Sequence, residues 1–109
     1  MNIEPIPEQL LNDEFTLLVP GESGYARTDV SSVRIERKSA LSDYADGDVR
    51  GLSALTIFYD MTYSLPQRLE FAAGMSAEYD GALWEITEAR LYCADEPHHY
   101  TLTARRVSG

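Results

Sequence analysis

Leu55-Thr56-Ile57-Phe58-Tyr59-Asp60 is the stretch that decides the fold. Leu55, Ile57 and Tyr59 share one parity, and Thr56 and Phe58 share the other. Successive side chains of a β-strand point to opposite faces. A strand apolar on both parities therefore predicts material packed against each face and a central place in a barrel or sandwich. Downstream, Tyr79-Asp80-Gly81-Ala82 sets Asp-Gly between two apolar-patterned runs. A type I′ turn needs positive φ at both central residues, so this predicts a hairpin joining strands over 75–79 and 83–93. Another strand over 98–106 follows the break at Asp95-Glu96-Pro97. The half of the chain from 52 to 107 thus reads as an antiparallel meander that the remainder closes.

Upstream, Glu14-Phe15-Thr16-Leu17-Leu18-Val19 reads as a first strand ended by Pro20-Gly21. Residues 21–29 are polar and turn-rich, and 30–38 form a second strand with Val33 and Ile35 facing in. Ser31-Ser32 breaks the phase between Val30 and Val33, which predicts a bulge. A second bulge is predicted at Thr87-Glu88, because Trp84 and Ile86 have opposite parity to Ala89, Leu91 and Cys93. The fold expected is all-β: one domain over 1–109, a small antiparallel β-barrel of about six strands.

Residues 1–12 form an arm. Pro5 and Pro7 forbid regular pairing, and Pro7 suits the first position of a short helical turn through Leu11. A turn this short is not stable alone, so Leu10 and Leu11 dock on the barrel or on a neighbour. The arm is read either as a plug or as a contact to another subunit through Ile3, Ile6, Leu10 and Leu11. Residues 39–51 form one long loop holding Asp43, Tyr44, Asp46 and Asp48. Loops of this length inside a small domain are functional or disordered.

Acids outnumber bases 18 to 9, for a net charge of −9. That argues against a module that grips nucleic acid, because such binding replaces phosphate counterions with Lys and Arg. The single cysteine excludes an internal disulfide. No apolar run reaches the ~20 residues of a membrane span, and no secretory signal pattern opens the chain, so a soluble, cytoplasmic product is expected.

Catalytic, cofactor and metal motifs are not found: no Gly-rich phosphate loop, no His-Glu-x-x-His and no Cys-x-x-Cys. Cys93 shares a parity with Ala89 and Leu91 and reads as a small buried hydrophobe. His98 and His99 are adjacent on a strand and should point to opposite faces, away from any shared metal. Asp60 ends the central strand, where its carboxylate should cap the turn at 61–64. The expectation is a protein without enzymatic activity, cofactor or metal.

Several residues together resemble a known family. They are Thr56-Ile57-Phe58-Tyr59-Asp60, Ser64-x-Pro66, Phe71-x-x-Gly74, Tyr79-Asp80-Gly81-x-x-Trp84-x-Ile86, Tyr92 and His98-His99-Tyr100-x-Leu102. With Ile6-Pro7-x-x-Leu10-Leu11-x-Asp13 and Val33-Arg34-Ile35-Glu36, this order is similar to the small minor capsid proteins of tailed phages and prophages. Trp84 stands where the family would lead one to expect Tyr, and loop 39–51 has no counterpart. The resemblance implies a head-completion or head–tail connector protein: a β-barrel assembled as a homo-oligomeric ring below the portal, in the virion neck. It would be made in the host cytoplasm, as a monomer until it meets its template. Its implied partners are portal or adaptor and tail-side proteins, and double-stranded DNA would pass without specific binding. Asp43, Tyr44, Asp46 and Asp48 would then line the channel or a subunit contact. A tail-completion protein is the near alternative. The rival from another class is an OB-like module for single-stranded nucleic acid or an oligosaccharide, with Tyr25, Tyr44, Tyr63 and Tyr92 as stacking surfaces.

Overall fold

The computed structural model describes residues 8–39 and 53–108. After a 3₁₀ turn at Glu8–Leu10 come six strands: β1 Asp13–Gly21, β2 Gly24–Ser39, β3 Ser53–Asp60, β4 Ser76–Tyr79, β5 Ala82–Cys93 and β6 Pro97–Ser108. They close into an antiparallel barrel in the order β1-β2-β3-β6-β5-β4, with β4 returning to β1. The first three strands follow one another as hairpins, and β4 then lies beside β1, which is a Greek key. This corrects the expectation of a meander from β3 onward. Only β4-β5-β6 run as neighbours, and β3 pairs with β6, Ile57 opposite Leu102.

The closure follows from the residue pattern. Val30, Val33, Leu55, Ile57, Tyr59, Trp84, Ile86, Leu102 and Ala104 fill the interior, each at most 1% exposed. On β3 the inward set is Leu55, Ile57 and Tyr59, as its parity predicts. The opposite face, with Thr56 and Phe58, is only half-buried. Among the described residues nothing packs fully over it, contrary to the expectation drawn from two apolar parities.

β2 serves two neighbours in turn. Its first part, through Val33, pairs with β1 and its last part, from Arg34, with β3. Just before the change Ser32, at φ 55°, is the extra residue between the Asp13–Val33 and Glu14–Ser31 pairs. The expected bulge is thus the barrel's corner. Residues 24–29 belong to β2 rather than to a loop, and the turn is only Glu22-Ser23. The hairpin tip from Pro20 to Tyr25 runs past the end of β4, so both its faces meet water and no alternation marks it.

On β5, Ile86 faces Ala104 and Glu88 faces Thr103, leaving Thr87 as the extra residue of the second expected bulge. Ala89 then packs on the core, but Leu91 and Cys93 are exposed. The reading of Cys93 as buried is therefore wrong. β5 has no β4 partner past this point, so its correct parity faces no core. Asp80 and Gly81 have φ of 53° and 74°, the geometry the Asp-Gly turn requires.

Candidate functional site

The expected site residues fall in different places. Asp43, Tyr44, Asp46, Asp48, Ile3 and Ile6 lie outside the described residues. Leu11 is buried, while Leu10 is 42% exposed. The 3₁₀ turn packs beside β2, so Leu11 fits the docked plug and Leu10 remains available for contact. Of the proposed stacking tyrosines, Tyr25 and Tyr63 are exposed on different segments, and Tyr92 is half-buried.

Each end of the barrel is closed by its own chemistry. At one end the Arg37 guanidinium stands 5.8 Å from the centre of the Trp84 ring and meets Asp80 at 2.7 Å. The Trp84 indole N–H donates to the Tyr79 carbonyl at 3.1 Å. At the other end the crossover between β3 and β4 passes over the opening and inserts Phe71 beside Tyr59 and Tyr100, with ring centres 5.0 and 5.1 Å away.

The crossover is tied down at its root. The Asp60 carboxylate accepts the N–H groups of Thr62 at 2.7 Å and Tyr63 at 3.0 Å, as the sequence predicts. The Asp60 N–H donates to the Ser64 hydroxyl, which in turn donates to the Ser32 carbonyl at the corner. Further on, the Tyr59 hydroxyl donates to the Pro66 carbonyl and accepts the Leu69 N–H at 3.0 Å. Burial pushes the Tyr59 phenol up, against the opposing Leu69 hydrogen bond. Tyr59 is thus a latch for the crossover, a role that its core parity did not reveal.

Beside this root lies a cluster that sequence reasoning missed. His98 and His99 were expected to diverge, yet their Nδ1 atoms are 2.7 Å apart and the rings meet edge to face. His98 stands at the start of β6, where its ring turns toward that of His99. His99 stacks on Tyr92, centres 4.7 Å apart. Across the sheet, Asp60, His99 and Tyr92 are direct neighbours. Among the described residues, no three His, Cys, Asp or Glu side chains converge as metal ligands.

The outer surface carries ion pairs between strands, Arg27 with Glu78 and Arg105 with Glu85, and one from β2 to the β4–β5 turn, Arg37 with Asp80. Arg34–Glu36 and Arg90–Glu88 pair within strands. Exposed pairs of this kind each contribute at most about 1 kcal/mol. They also occupy arginines, so the chain's surplus of acids dominates its field. One cleft of about 340 Å³ opens beside the β1–β4 seam, lined by Glu14, Asp29, Glu78 and Asp80 with Phe15 and Tyr79.

Comparison with protein-family models, with curated proteins and with solved structures gives no match.

Proposed function

We propose that this chain is a structural subunit of a tailed-phage neck, a head-completion or head–tail connector protein that works by assembly rather than by chemistry. The observation that carries the reading is the closed, acidic barrel with both ends plugged and two hairpin tips extending beyond it. Such a body is rigid, offers exposed strand tips to neighbours, and repels a polyanion. These properties suit a subunit that extends a DNA channel below the portal and presents a surface for tail attachment. Leu10 and the arm before it would supply contacts to the portal or the next subunit. Loop 39–51, with Asp43, Tyr44, Asp46 and Asp48, would face the channel or a neighbour. The protein would reside in the virion neck after synthesis in the host cytoplasm.

The experiment is a sedimentation titration of the purified chain with the portal or adaptor oligomer encoded beside it. The chain alone should sediment as a monomer and should load onto the oligomer in several copies. Failure to bind any portal, adaptor or tail-side oligomer would overturn the reading.

The binding-module rival draws support from the Greek-key barrel, an architecture that OB-type modules share. Among the described residues, however, its stacking surfaces Tyr25, Tyr63 and Tyr92 lie on different segments with no basic groove joining them. Tight binding of single-stranded DNA at low salt would promote it over the neck reading.

A further inference from the structure

The His98–His99 contact constrains how many protons the cluster can hold. A hydrogen bond between two imidazole nitrogens needs one N–H donor and one bare acceptor. The Nδ1–Nδ1 separation of 2.7 Å therefore admits two neutral rings, or one neutral ring and one imidazolium. Two imidazolium rings would bring two N–H groups and two positive charges face to face. Both rings are half-buried, so water screens that repulsion only in part.

The groups around the pair set the balance. From β3, Asp60 faces His99 and favours charge there, but its Oδ1 is committed to the Thr62 and Tyr63 amides. From β5, Tyr92 covers one face of His99, and Arg90, paired with Glu88 at 3.2 Å, adds positive charge beyond it. Asp95 and Glu96 lie in the exposed turn before β6, and Cys93 is paired with Pro97 at its mouth. Burial and then His98 lower the proton affinity of His99, against the pull of Asp60. The pair is also mechanically connected, because the His98 carbonyl accepts the Met61 N–H at 3.0 Å. That bond joins the start of β6 to the start of the crossover.

We propose that His98, His99 and Tyr92 form a proton-operated latch. With at most one added proton the imidazole pair holds the β5–β6 hairpin against the crossover, and a second proton taken from solvent opens it. The latch is a property of the single chain and does not rest on the neck assignment.

The test is an NMR titration of the whole chain between pH 8 and 4.5. It follows the histidine ring nitrogens, the Tyr92 ring signals and the exchange protection of the Met61 amide. His99 should take up its proton at a lower pH than a free imidazole. The Tyr92 shift should follow that step, and Met61 protection should fall roughly tenfold across it, the size of one lost hydrogen bond. Trp84 signals should stay fixed, showing that the barrel survives. His99→Phe keeps an aromatic ring on Tyr92 without a titrating nitrogen, so Met61 protection should become independent of pH. His98→Ala provides a second variant and should move the His99 midpoint upward. Rings that titrate together at the ordinary value, or Met61 protection in His99→Phe that still falls with pH, would overturn the latch.

Discussion

Replacing Asp60 by alanine should release the crossover that makes this barrel a Greek key. The carboxylate is 4% exposed and accepts two backbone N–H groups, at 2.7 and 3.0 Å. Hydrogen bonds to a charged group contribute about 1.5–3 kcal/mol each when no water replaces them. Thr62 and Tyr63 are exposed, so their amides regain water once the carboxylate is gone. The expected loss for Asp60→Ala is therefore about 2–3 kcal/mol, a large share of the 5–15 kcal/mol typical of a domain. Asp60→Asn keeps an acceptor oxygen and loses only the charge, for about 1 kcal/mol. Urea unfolding followed by Trp84 fluorescence measures both, since that ring is fully buried and should report the barrel. An Asp60→Ala loss below about 0.5 kcal/mol, or an Asn variant as unstable as the Ala variant, would refute the capping argument.

Three further outcomes follow. Gly81→Ala places a side chain at φ 74° in the β4–β5 turn and should cost about 1–2 kcal/mol by the same urea assay. Native Cys93 should react with an aromatic disulfide reagent nearly as fast as the unfolded thiol, because it is exposed at the end of β5. His99 binds its proton less readily in the folded state than in the unfolded chain, where a histidine titrates near pH ~6.5. Its share of stability is therefore fully present above that pH and declines as pH falls toward its lowered folded value. Urea midpoints at pH 7.5 and 5.5 should differ in that direction, and by less in His99→Phe.

The parts of the fold legible in the sequence are those where periodicity and burial coincide. Leu55, Ile57 and Tyr59, the Asp80-Gly81 turn and both phase breaks led directly to an all-β barrel with its bulges in place. Strand order was less accessible. Nothing in 61–75 announces that the chain passes over the barrel end to reach β1, because the ties of Asp60, Ser64 and Tyr59 are tertiary. Residues 24–29 were misread because a hairpin wet on both faces has no apolar rhythm, and Cys93 because parity shows direction but not whether a core lies there. The histidine pair was hidden by the rule that neighbours on a strand diverge, which fails at the first residues of β6.

The assembly reading is tested most directly by electron microscopy of particles made by the genome that encodes this chain. It predicts density for this barrel in a closed ring beneath the portal, with the acidic surface along the passage. Density at the tail tip, or particles that lack the chain altogether, would contradict it.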